Sequence, residues 1–172
     1  MTQFAQWLSQ TPVSLAIQTH AWIIPTLQSI HIVAIGVIFS SVFMIALRIL
    51  GLAGSDQTLL DTFGRFGPPL SAALCITVAT GAFQVMGEPA RELLSFSFWL
   101  KMSLLAAATF TTVVFHSAVR RNEHHWGEVV IGRWTAKSLT ILTVLVWAGI
   151  IILGRLIAYD SIWGAWSRVP KD

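Results

Sequence analysis

Charge is scarce in this sequence. Of 172 residues, 11 are lysine or arginine and 8 are aspartate or glutamate, so 11% are charged, against roughly 25% in a soluble domain. So few charges cannot cover a water-facing surface, which excludes an ordinary soluble globular domain. Cysteine is scarcer still. Cys75 is alone and lies in an apolar run, which excludes a disulfide framework and a thiolate metal cluster. Asp61, Glu88 and Glu92 fall near the ends of apolar stretches and form no catalytic carboxylate pair. No catalytic triad pattern and no phosphate-binding glycine loop is present. A self-contained enzyme is therefore not expected. The first 21 residues hold no lysine or arginine, so they do not read as a signal peptide, which needs a basic leading region.

Apolar residues fill the space that charge leaves. They make up 55% of the chain, and the mean hydropathy is +0.70. Four runs, at about 22–50, 68–87, 96–119 and 138–159, reach the roughly 18 apolar residues that a membrane crossing needs. A lone span must satisfy its own backbone in hydrocarbon, which selects helix, and the runs lack the alternation of barrel strands. Short connections favour neighbouring antiparallel helices. The expectation is an all-α, integral membrane four-helix bundle, up-down-up-down, forming one transmembrane domain over 1–172. Phe4, Trp7 and Leu8 have helical spacing and predict a short N-terminal interfacial helix. Thr11-Pro12 predicts a new helix start, and Pro25 a bend into the first span.

Six of the eleven basic residues follow the first and third spans: Arg48, Arg65, Arg120, Arg121, Arg133 and Lys137. Their concentration in 120–137 reads as an orientation signal and not as a nucleic-acid patch. It puts both termini outside, in the periplasm of a bacterial inner membrane.

Polar groups inside a span are costly and are functional candidates by default. Gln28 and His31, at i, i+3, lie toward the outer side of the first span, level with Gln84, Lys101 and Arg155. Arg48 and His116 lie toward the inner side. At about 1.5 Å per residue, His31 is about 7 Å below the outer boundary and His116 about 6 Å above the inner one. In a core of about 30 Å they differ in height by about 15 Å, so one iron cannot take both. Each site then needs a second ligand, with His20 a candidate outside and His124 or His125 inside. Lys101 is expected to send its amine to the interface. Ser71, Cys75, Ala79 and Ala82 form a small-residue stripe expected to pack against another helix, and Trp147 is expected to fill the core.

Several stretches carry a resemblance. They are Trp22-Ile-Ile-Pro25-Thr-Leu-Gln28-Ser-Ile-His31, Leu47-Arg48-Ile-Leu-Gly51-Leu, Phe98-Trp-Leu-Lys101, Phe115-His116 ahead of Arg120-Arg121, and Gly154-Arg155-Leu-Ile-Ala-Tyr159. In these the chain resembles a family of uncharacterised four-helix bacterial inner-membrane proteins, over nearly its whole length. It is distantly similar to the membrane region of copper-resistance protein D and to small cytochrome b-like bundles. The resemblance implies a glutamate where this chain has Gln28. It singles out His31, His116, Arg48 and Arg155 without implying a reaction.

Imidazole is the usual axial ligand of haem iron, and a bundle interior is a common cofactor site. The leading expectation is a haem b-binding electron-transfer subunit between membrane quinone and a periplasmic redox partner. His31, His116 and His20 are the metal-ligand candidates; Arg48, Arg155 and Gln28 pair with propionates or a quinone head. Copper handling is the alternative, although it needs a ladder of soft ligands and Met1, Met44, Met86 and Met102 have no paired spacing. A cofactor-free structural or assembly subunit is the third. Each implies the lipid bilayer and a partner subunit or a second copy as neighbours.

Overall fold

The structure, a computed structural model, describes residues 2–54, 56, 58–121 and 134–156, with the backbone alone for 113–121, 135, 136 and 156. His124, His125, Trp126 and the stretch from 157 onward, including Tyr159, lie outside the described residues. All regular structure among the described residues is helical: α1 (Thr2–Ser9), α2 (Pro12–Thr19), α3 (Ile23–Leu50), α4 (Leu59–Gly87), α5 (Pro89–Leu93), α6 (Phe96–Arg121) and α7 (Trp134–Leu156).

The N-terminal region makes two helices, the second starting at Thr11-Pro12. Thr11 caps α2 by accepting the Ser14 N–H, with Pro12 in the first turn, where its missing N–H costs no bond. Pro25 likewise stands in the first turn of α3, so it starts the helix without removing an internal hydrogen bond. The α3 helix ends on Gly51 in the left-handed conformation (φ 74°). There Leu52 N–H donates to the Leu47 carbonyl at 2.9 Å, a closure that favours glycine.

The α4 helix begins nine residues earlier than the apolar run at 68. Thr58 Oγ1 accepts the Asp61 N–H at 3.1 Å, and Asp61 Oδ2 accepts the Thr58 N–H at 3.1 Å. This capping box satisfies two end donors reciprocally. The helix then runs through Pro68 and Pro69, although each removes a backbone bond. Packing carries it: Leu59 and Phe63 before the prolines cluster with Ile45 and Ile49 of α3, and Leu70 after them joins Val42.

α3 lies between α4 and α7, α7 packs on α6, and α4 meets the described part of α6 at few points. α3 and α4 are antiparallel, since His31 meets Thr80 while Val42 and Leu70 share a cluster. All four long helices contribute to that core, through Ile38, Ala73, Ala108 and Trp147 among others. The outward faces are apolar too: Val33 is 67% and Phe110 70% exposed. α3, α4 and residues Lys137–Arg155 of α7 are long and apolar enough to cross a membrane. The third expected span, α6, has its side chains described over 96–112 only. The stripe of Ser71, Cys75, Ala79 and Ala82 faces outward instead of packing, because Ala73, Thr77 and Thr80 hold the face toward α3.

One end of the bundle is roofed. Ser14 of α2, fully buried, donates to the Met86 carbonyl at 2.5 Å, satisfying an orphan group of the α4 C-terminus. α1 packs on α5 and leaves Phe4 and Trp7 exposed and stacked, 5.8 Å between ring centres. A Cβ on Gly87 would run into Ile24 Cδ1 and stand 2.8 Å from Ile17 Cγ2. Gly87→Ala is expected to lower stability by about 1–3 kcal/mol, read by thermal unfolding in detergent. Ile17→Ala in the same chain should recover part of the loss. An unchanged melting temperature in the single variant would contradict this docking of α2.

Candidate functional site

His31 is buried on the α3 face that meets α4. Its Nδ1 lies 2.7 Å from Thr80 Oγ1, and the Thr77 backbone carbonyl is a second partner of the ring. The Thr80 hydroxyl has one proton, which it donates to the Ile76 carbonyl at 2.7 Å. Its lone pairs are then what faces the histidine, and a carbonyl can only accept. That arrangement places the ring proton on Nδ1 and a lone pair on Nε2, whereas a Thr80 hydroxyl turned to Nδ1 reverses the two. The ring edge lies over Gly81, where an added Cβ would stand 3.5 Å from Cε1.

Lys101 stands five residues into α6. Its chain crosses to α7 and lies over Gly154; an added Cβ there would be 3.3 Å from Nζ. The missing side chain at 154 makes that position possible. The ammonium acts electrostatically on His31, and Glu92 acts on the ammonium. Gln84 stands one turn beyond Thr80 on the same face of α4. Its Nε2 is buried with no hydrogen-bond partner in the described structure. Thr77 Oγ1 and Trp147 Nε1 are in the same condition, Trp147 deep in the core as expected, at 2% exposure.

The other candidates divide by position. Gln28, half-buried, is one turn outward of His31 and opposite Gln84 by the antiparallel register. Arg155 is in the last turn of α7 with its side chain exposed, beside the cluster and not within it. Arg48 is in the last turn of α3, half-buried, with Cδ against Gly54 of the following loop. It is 17 residues from His31, about 25 Å along the helix. The backbone of His116 is in α6, 15 residues past Lys101, about 22 Å along the axis, and its side chain lies outside the described residues. His20 is exposed and bonds through Nδ1 to the Ala16 carbonyl at 3.0 Å, capping α2. The helix breaks at 20–22, so His20 does not continue the α3 face of His31. No group of three metal-ligating side chains occurs among the described residues.

Sequence spacing put Gln28, His31, Gln84 and Lys101 at one level. It missed Thr80 and Gly154, the residues that fix the imidazole and the lysine. A cavity of about 90 Å³ lies toward the other end, lined by Val42, Ile45, Phe63, Leu70, Thr111 and Thr143 among others. The hydroxyls of Thr111 and Thr143 bond back to their own helix at 2.9 and 2.8 Å, which leaves the lining apolar.

No family model, no curated protein and no solved structure matches the chain. The site is therefore read from its own geometry. In a double-mutant cycle of Thr80→Val with His31→Leu, unfolding in detergent should give a coupling of about 0.6–1.7 kcal/mol. A coupling near zero would remove Thr80 as the anchor of the ring.

Proposed function

We propose that this chain is an integral membrane subunit of an electron-transfer complex, a four-helix up-down-up-down bundle in a bacterial inner membrane with both termini on the periplasmic side. Three helices long and apolar enough to cross a membrane support the membrane part of this reading, as do the apolar outward faces. The observation that carries the redox part is His31. Its Nδ1 lies 2.7 Å from Thr80 Oγ1, and the Thr77 carbonyl is a second partner of the ring, the kind of support that orients a ligating histidine.

A haem b was tested against these residues. His31 is the residue that would hold its iron, through Nε2. A haem enclosed in the bundle with two histidine ligands does not fit. Lys101, beside His31, and His116 are about 22 Å apart along α6, and the core around Trp147 is packed. The cavity of about 90 Å³ is also far below the roughly 300–1,000 Å³ of a cofactor pocket. A haem on His31 would supply one-electron transfer. This chain's part is to hold the Nδ1 proton on Thr80 and to set the Lys101 charge nearby, with the second ligand coming from a partner subunit or a second copy.

Copper handling has less support, since no ligand cluster occurs among the described residues. A cofactor-free assembly role would leave the anchored imidazole without a task. The test is a reduced-minus-oxidised visible spectrum of the purified protein, with metal analysis on the same sample. A b-type band that is lost in His31→Ala is the expected result. Stoichiometric copper without the band would favour the copper reading, and neither signal would favour the assembly role.

A further inference from the structure

The α4 helix is weakest where Gly64, Gly67, Pro68 and Pro69 come close together. The two prolines have no N–H for the carbonyls of Gly64 and Arg65, which lose their i→i−4 bonds. Each glycine costs a helix about 1 kcal/mol relative to alanine. A Cβ on Gly64 would meet nothing within 4 Å, so packing does not require that glycine.

The core divides at the same place. Before the prolines, Leu59, Phe63 and Phe66 pack with Ile45 and Ile49, in a cluster of α3 and α4 residues alone. After them, Leu70 and Ala73 join the cluster that all four long helices feed. The cavity of about 90 Å³ lies at the division. Phe63, Ile45 and Ile49 line it from the one cluster, Leu70 and Val42 from the other.

Polar bonds divide there too. Beyond the prolines, Thr80 meets His31 of α3 at 2.7 Å, and the Met86 carbonyl accepts from Ser14 of α2 at 2.5 Å. Before them, Thr58, Asp61 and Thr62 bond among themselves in the first turn. Arg65 Cζ lies 5.7 Å from the ring centre of Phe66, its own neighbour. The capping box keeps this first part helical, while its contacts with α3 in the cluster are apolar. In a bilayer such contacts hold helices weakly, because lipid tails are as apolar as the side chains they replace.

We infer that residues 59–67 of α4 are a gate. They swing as a short helix on the Pro68–Pro69 hinge, lift Phe63 from Ile45 and Ile49, and open the cavity to the hydrocarbon of the bilayer. The part from Leu70 to Gly87 stays docked. A hinge needs a few residues that absorb the backbone change, and prolines are the usual site of a helix bend. The gate rests on the membrane reading and is independent of the haem.

The test is electron double resonance on the full chain in phosphatidylcholine nanodiscs, with Cys75→Ser as background. One pair of spin labels sits at Leu60→Cys and Leu142→Cys, a second at Val78→Cys and Ile152→Cys, all at exposed positions. The first pair should give the broader distance distribution. It should narrow to the width of the second in Pro68→Ala/Pro69→Ala, which restores both backbone bonds. Equal widths in the parent, or a first pair unchanged by the alanines, would overturn the gate. So would a label at 60 with the line shape of disordered chain, which replaces a swinging helix by local unfolding. The two pairs are compared without the alanine variant, so its misfolding would leave the test intact. Failure of the chain to enter nanodiscs would count against the membrane reading, and the same pairs in detergent would still decide the hinge.

Discussion

The bond between His31 Nδ1 and the Thr80 hydroxyl places a polar side chain where the surroundings give it no other outlet. α3 and α4 carry apolar groups on their outward faces as well as inward. A buried imidazole there would leave a donor and an acceptor unsatisfied, at a cost of roughly 2–7 kcal/mol for a polar group without a partner. Thr80 meets Nδ1, and the Thr77 carbonyl is a second partner of the ring. In doing so they set the register of the helix pair that contributes most to the bundle.

The rest of that end of the bundle follows from that register. With His31 opposite Thr80, Gln84 falls opposite Gln28, and Gly87 reaches the position where Ile17 and Ile24 close over it. The α2 helix can then satisfy the last carbonyls of α4 through Ser14. Lys101 reaches the same level from α6 because α7 has glycine at 154. The opposite end has a different character. Its cavity is apolar, and its basic residue Arg48 folds against the α3–α4 loop.

Much of this was legible in the sequence. Long apolar runs gave the long helices, and the depth of His31, Gln84 and Lys101 followed from helical rise. Three features were not legible, each for a physical reason. The start of α4 was hidden because Asp61, Arg65 and the pair Pro68–Pro69 look like a loop, while the capping box and the packing of Phe63 and Leu70 outweigh the prolines. The stripe of Ser71 and Cys75 was assigned to packing because small residues favour close approach. The face that packs is instead one register over, at Ala73, Thr77 and Thr80. The position of Lys101 over Gly154 was hidden because it depends on a glycine more than fifty residues away. The unpartnered amide of Gln84 is a property of three dimensions only.

The central claim is that His31 is a neutral imidazole with its proton on Nδ1 and its lone pair on Nε2. Solid-state ¹⁵N NMR of histidine-labelled protein in bilayers reads this directly, with His31→Gln used to assign the signal. The account predicts a protonated Nδ1 coupled in space to the Thr80 side chain and an unprotonated Nε2. A proton on Nε2, with Nδ1 accepting from Thr80, would contradict it.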